Sequence, residues 1–371
     1  MSTWRERVLI GCGPGVLAGI TLTDWLKLLR ENKFSVESAY FLRAVAISFA
    51  AATNSVFAWY EKWQYGRRWK DVPVPPPLFV LGHWRSGTTH LHYLLARDDR
   101  FACPNFYQVI SPHTFLSTEK RFSGPMAFLL PEYRAYDNVR LDLQVPCEDE
   151  FAMCVWGFMS SYLTGVFPRR AAHYDQFLTF RNAPPQAVEE WKSIMRLFLK
   201  KLMFRHGKPL ILKSPTHTGR IKLLLDMFPD ARFVHIHRDP YTVFQSMIHM
   251  YKTGLPFGRI QSTNAVDWTE RAFRQYKELY AAFFEERCLI AADHFHELGF
   301  EALEKDPVGE MRKLYEAIGL PEFAKVEPAL RMYVDSLSSY RKNKLPELAP
   351  DVRNRIAGEW RRCFEEWGYP V

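Results

Sequence analysis

A chain of 371 residues that is 47% hydrophobic and 15% aromatic can bury a large core, which excludes general disorder. The formal net charge of +8 suits an anionic ligand or surface, but the basic residues are spread along the chain with no Lys/Arg-rich arm, zinc finger or RNA-recognition pattern, so no nucleic-acid partner is expected. Six cysteines without a C-x-x-C point to a reducing, cytoplasmic compartment, and histidines without H-E-x-x-H spacing give no reason to expect a metal.

Val8–Thr23 is uncharged but broken by glycines and lacks the usual small-residue cleavage site, so a signal peptide is not expected. Residues 20–65 read as helices, with Trp25, Leu26, Leu28 and Leu29 on a helical period. Ala44–Tyr60 is also uncharged, yet short for a membrane span and interrupted by Ser48, Thr53, Asn54 and Ser55. It reads as a buried helix in a helical N-terminal layer over residues 1–70, packed on the core; peripheral membrane contact is the alternative. Asp71–Pro77 must be extended, because proline excludes helix and restricts its predecessor. It opens the main domain, 71–371, by feeding a buried strand at Leu78–Leu81.

Further strands are expected at Pro209–Leu212 and Arg232–His237, with a weaker one at Phe295–Phe300, and helical stretches lie between them. This alternation predicts an α/β fold with a central parallel sheet flanked by helices. Residues 100–185 break the rhythm and read as an insertion suited to acceptor recognition.

The strongest signal is Leu81-Gly-His-Trp-Arg-Ser-Gly-Thr-Thr89, which leaves a strand and enters the helical pattern Leu91, Leu94, Leu95. Gly82 and Gly87 have P-loop separation, which lets backbone N–H groups converge on a phosphate at a helix N-terminus. Ser86, Thr88 and Thr89 add hydroxyls. A nucleotide-hydrolysing P-loop carries Lys after the second glycine; here Thr88 stands there and Arg85 supplies the charge. Lys213 and Arg238 close the next two strands, and ligands of open parallel sheets bind at those ends. Asp239 and Pro240 read as N-cap and first residue of a helix that carries Ser246 about two turns in.

These residues resemble the P-loop sulfotransferases, most closely a bacterial branch that is also similar to tyrosylprotein sulfotransferases. Arg85–Thr89 resembles the family's 5′-phosphosulfate loop, Gly87 included. Lys213-Ser-Pro215 resembles its Lys-x-Pro. Phe228–Pro240 with Ser246 resembles its 3′-phosphate motif, which implies Arg238 and Ser246 as binders. Glu297–Leu303 resembles a later strand and turn, with Ala302 where an Asp is usual. Tyr340-Arg341-Lys342-Asn343 and Trp360…Tyr369 resemble a closing segment that can reach the nucleotide. The resemblance implies transfer of a sulfuryl group from 3′-phosphoadenosine 5′-phosphosulfate (PAPS), leaving PAP, to a hydroxyl or amine of a small-molecule, carbohydrate, lipid or peptide acceptor. Charge would build on oxygens that Arg85 and Lys213 can stabilise, with no metal required.

For the acceptor's base, the glutamate of tyrosylprotein sulfotransferases has no counterpart in Phe101–Phe106. Glu148, then Glu150, in Pro146-Cys-Glu-Asp-Glu150 are the candidates, against a role as first-turn helix acids; His113 is the runner-up. The other functional readings are a nucleotide kinase or NTPase, and a non-catalytic nucleotide-binding module at a membrane surface.

Overall fold

The computed structural model describes residues 10–66, 68–134, 137, 139–338, 343 and 345–371. The elements used below are, in chain order, α1 (Leu22–Glu31), α2 (Phe41–Tyr65), β1 (Leu78–Leu81), α3 (Thr88–Leu95), α4 (Phe115–Leu129), α5 (Glu150–Trp156), α6 (Pro185–His206), β2 (Ile211–Lys213), β3 (Arg232–His237), α7 (Pro240–Gly254), α8 (Trp268–Glu286), β4 (Phe295–Gly299), α9 (Phe300–Lys305) and α10 (Arg361–Trp367). Two compact units divide the chain. One joins Met1–Val74, Pro104–Gly207 and Lys252–Asp267; the other joins Pro75–Cys103, Lys208–Tyr251 and Trp268–Val371. The segment 100–185 thus falls almost wholly within a longer stretch that clusters with the N-terminal helices.

The second unit holds a four-stranded parallel sheet in the order β2-β1-β3-β4, so all the expected strands form, the weaker fourth included. Val80 pairs with Lys213 on one side and with Val234 on the other. Strands covered on both faces read as continuous apolar runs rather than alternating ones. Leu78, Val80, Val234 and Ile236 pack with Leu91, Leu94 and Leu95 of α3. On the opposite face Phe79 stacks on Phe233 at 5.4 Å and meets His217 and Phe228. β1 has β2 on one side and β3 on the other, so the side on which successive parallel strands are added reverses at β1. That reversal is the topological switch point at which α/β sheets bind ligands.

The first unit is helical. Thr21 caps α1 by accepting from the Asp24 N–H at 3.3 Å. α1 lies on α2 through polar contacts: Trp25 Nε1 donates to Ser48 Oγ (2.9 Å) and the Leu22 N–H to Ser55 Oγ (2.8 Å). Asn54 Nδ2 donates to the carbonyls of Ala18 and Ile20. The expectation of a buried helix over Ala44–Tyr60 is corrected here. Only Arg43, Ile47, Ala51 and Glu61 of α2 are buried, while Phe49 and Trp63 are each 74% exposed. Composition cannot say which side of a helix is covered; of the groups that interrupt the apolar run, Ser48 and Ser55 hold α1 and Asn54 holds the segment just before it, and they turn the aromatics outward.

Candidate active site

Gly82 leaves β1 with φ +141°, and a Cβ there would lie 2.5 Å from the Ile236 carbonyl oxygen, so only glycine fits. The loop is then tied from several sides. The Gly82 N–H donates to Thr218 Oγ1 (2.7 Å), the His83 N–H to the Tyr280 hydroxyl (3.3 Å), and Ser86 Oγ to the His83 carbonyl (2.8 Å). Arg85 at φ +70° and Gly87 at φ +103° curl the chain back into α3, which starts at Thr88. The first N–H groups of a helix have no partner within it and carry the positive end of its dipole, which makes this turn an anion cradle. His83 is fully buried against Tyr276 and Tyr280, and burial pushes its imidazole down to about 4. It is a neutral prop under the loop, with Nδ1 2.9 Å from the Trp84 carbonyl.

Arg85 and Arg238 come together at the ends of β1 and β3. Arg85 Nε donates to Ser246 Oγ at 2.8 Å, and Arg238 Nη1 donates to the Arg85 carbonyl at 3.3 Å. Loop, β3 end and α7 therefore form one cluster. Lys213, the last residue of β2, is 2% exposed beside β1. Asp239 heads α7 by accepting from the Thr242 N–H (2.7 Å) and hydroxyl (2.8 Å). Burial draws the Arg238 guanidinium below its ordinary value, offset in part by Glu301, Glu304 and Asp239. Arginine stays protonated regardless, so Arg238 is a partly desolvated cation that an anionic ligand would stabilise.

Phe300, His237 and Glu301 had no role assigned from sequence. Phe300 lies under Arg238, 4.3 Å from guanidinium to ring centroid, and its edge occupies the space where a Gly87 Cβ would project, 2.2 Å away. His237 stacks on Trp367 at 4.8 Å and shares a hydrogen bond with the Tyr369 hydroxyl (2.9 Å), which donates to Glu301 Oε2 (2.8 Å). Because that hydroxyl gives its proton to Glu301, His237 carries its own on Nδ1. Glu301 Oε1 also accepts from the Asp239 N–H at 3.3 Å. The C-terminal residues thus brace the turn that presents Arg238. The only sequence sign of this was the late Trp360…Tyr369 similarity. Tyr340, Arg341 and Lys342 lie outside the described residues.

The base candidates belong to the helical unit. Glu148 sits just before α5, half-buried, and accepts a hydrogen bond from the Tyr162 hydroxyl. Glu150 opens α5 with no exposed surface, and Asp149, at the N-cap, makes no capping bond to the helix. His113 packs its ring 5.1 Å from Trp156, with Nε2 3.4 Å from Asp24 Oδ2. Burial, then Lys201, pushes its imidazole down to about 3, which makes it a feeble base.

A glycine-hinged loop after the central strand, basic strand ends beside it and a capped helix opposite define a P-loop α/β protein built to hold a phosphorylated ligand. The profile of the sulfotransferase family matches residues 76–325, and the chain is 37% identical over 370 residues to the omega-hydroxy-beta-dihydromenaquinone-9 sulfotransferase of Mycobacterium bovis, covering 100% of this chain and 94% of that protein. The chain therefore belongs to the sulfotransferase family and is an enzyme of sulfuryl transfer. The Mycobacterium tuberculosis sulfotransferase of the same description matches equally. Among solved structures, the fold is similar to sulfotransferase STF9 of Mycobacterium avium (TM-score 0.68, 21% identity, 93% of this chain and 97% of that one). It is also similar to STF1 of M. tuberculosis (TM-score 0.64, 17% identity, 91% and 92%).

Proposed function

We propose that the enzyme transfers a sulfuryl group from PAPS to the hydroxyl of a lipophilic small molecule and releases PAP. The observation that carries the nucleotide assignment is the single cluster of Arg85, Ser246 and Arg238, linked by the Arg85 Nε–Ser246 Oγ bond of 2.8 Å and the Arg238 bond to the Arg85 carbonyl. Two motifs about 150 residues apart in sequence meet there, and a ligand with phosphates at both its 5′ and 3′ positions suits that set of donors. When bound, PAPS supplies the activated sulfuryl group and a phosphate leaving group.

The chain's residues do the rest. The loop N–H groups of Gly87–Thr89 and the hydroxyls of Thr88 and Thr89 hold the 5′-phosphate, while the Ser86 hydroxyl, spent on the His83 carbonyl, braces the loop instead of reaching the ligand. Arg85 and Lys213 balance charge on the transferring and bridging oxygens, a contribution that strengthens in the transition state. Arg238 and Ser246 bind the 3′-phosphate. Glu148 takes the acceptor proton: Glu150 is fully enclosed and His113 too weakly basic. The acceptor-binding role falls to the unit that contains Pro104–Gly207. A lipophilic hydroxyl is favoured because the full-length relative is named for an omega-hydroxylated menaquinone.

Calorimetric titration and turnover test this together. PAP should bind without magnesium and far more tightly than ATP, and PAPS should support sulfation of an omega-hydroxylated polyprenyl quinone. Arg238→Ala should weaken PAP by about 1.5–3 kcal/mol while adenosine 5′-phosphosulfate is much less affected. Equal losses for both ligands would remove Arg238 from the 3′-phosphate. Magnesium-dependent ATP binding in preference to PAP would overturn the donor assignment.

A further inference from the structure

α2 is built inside out for a helix of a protein surrounded only by water. Its one acidic residue, Glu61, is buried and accepts hydrogen bonds from Lys201 Nζ and, at 3.0 Å, from the Ser117 N–H. Arg43, equally buried, donates to the carbonyls of Arg259, Ile10 and Pro256. These two charges lie about five turns apart on one face. The opposite face is exposed and apolar. Leu42, Phe49, Val56 and Trp63 recur every seven residues, and Trp59 and Tyr60 widen the strip. With about 100° between successive residues, that face is about 100° across. Thr53, exposed at its margin, gives its hydroxyl proton to the Phe49 carbonyl at 3.1 Å.

We propose that this face of α2 lies in the surface of a bilayer containing anionic lipid. Four observations favour that occupant. The 25-residue helix has the length to span, about 37 Å, but Arg43 and Glu61 pin its other face to the protein along that length, so it can only lie flat. Trp59, Tyr60 and Trp63 gather at its C-terminal end, and such amphipathic rings prefer the headgroup level. Exposed cations surround that end: Lys62, Arg68 and Lys70 follow in the chain, with Asp71 as the exposed acid of that run. Lys120 and Arg121 stand exposed on α4, which packs on α2 through Phe57 and Phe122 at 5.3 Å. A second copy of the chain is the competing occupant, since a seven-residue apolar repeat can form a coiled coil. The flanks of that repeat argue against it. Ala46, Thr53, Tyr60, Ser48, Ser55 and Lys62 offer no opposite charges to set register or pairing, and Ser48 and Ser55 are already bonded to α1. The face therefore binds membrane rather than itself, and it does so whatever the acceptor proves to be.

Vesicle flotation of the full chain tests the assignment. The protein should float with phosphatidylcholine vesicles doped with phosphatidylglycerol, and less with phosphatidylcholine alone. Phe49→Glu with Trp63→Glu should lower the bound fraction by about tenfold or more. Lys62→Glu with Lys120→Glu should remove most of the preference for anionic vesicles. A circular-dichroism melt on each variant checks folding, and Phe49→Ser, a milder change, should give an intermediate loss. Failure of the wild type to float with anionic vesicles overturns the proposal. So does flotation unchanged by all three variants, or a light-scattering dimer that Phe49→Ser dissolves.

Discussion

At the scale of single residues, the open question is which group removes the acceptor's proton. Glu148 has the right surroundings: it precedes the helix rather than closing it, it is half-buried, and Tyr162 orients one of its oxygens. Glu148→Gln keeps the shape and the hydrogen bond but removes the basicity. It should cost about 10²-fold or more in turnover and leave the melting temperature and PAP affinity nearly unchanged. Retention of more than about a tenth of the wild-type rate would exclude a general base there. His83 and His237 show why burial matters to such assignments. Both are histidines beside the cluster of Arg85 and Arg238, yet both are pushed down to about 4, chiefly by desolvation, with His235 adding to the effect on His237. They hold the loop and the β3 turn in place and are poorly suited to carry protons at neutral pH.

At the scale of elements, function depends on how tightly the phosphate loop is wedged between its neighbours. Gly87 stands at φ +103° with the Phe300 ring against it. Gly87→Ala meets both a disfavoured backbone conformation and a 2.2 Å clash with Phe300 Cδ2. It should lower stability by about 1–3 kcal/mol and weaken PAP binding as the loop is displaced. Adding Phe300→Ala should recover the steric part and not the conformational part. Gly124→Ala, in α4 with no atom within 4 Å of the added Cβ, is the control and should be neutral or mildly stabilising. Thermal melts of the four proteins check this; a Gly87→Ala melt matching wild type would mean that the loop relaxes freely. The C-terminal end of α10 acts at the same scale. Trp367 and Tyr369 close over His237 and reach Glu301, so residues at the end of the chain set the turn that presents Arg238.

At the scale of the whole molecule, buried neutral imidazoles make stability depend on pH. His83, His113 and His237 are held below their ordinary value of 6.5, to about 4, 3 and 4. Between those values and 6.5 the unfolded chain binds more protons than the folded one, so acidification favours unfolding. Each histidine contributes a slope of at most about 1.4 kcal/mol per pH unit. Asp24 and Glu61, raised by burial, bind protons more readily when folded and work the other way. The three imidazoles outnumber these two carboxyls, so melting temperature should fall as pH drops from 6.5 to about 5. A flat profile from neutrality to about pH 5 would refute this accounting.

The half of the molecule that holds the sheet was legible because its information is local. A short apolar run between prolines and glycines makes a strand, Gly82 and Gly87 make a phosphate turn, and a cation at the end of a parallel strand falls at the ligand edge. Those rules yielded the four strands and the turn into α3, and they put Lys213 and Arg238 at strand ends, without any tertiary knowledge. What the chain's order could not disclose depends on contacts between distant segments. Phe300 under Arg238, and Tyr369 bridging His237 and Glu301, join positions more than sixty residues apart. The outward face of α2 was misjudged for the same reason. Its aromatic content is a property of the sequence, but exposure depends on which side α1 and α4 cover, and polar pairing through Ser48, Asn54 and Ser55 decided that side. Hydrophobicity says how much surface a segment would bury; only the packing of its neighbours says which surface is left for something else.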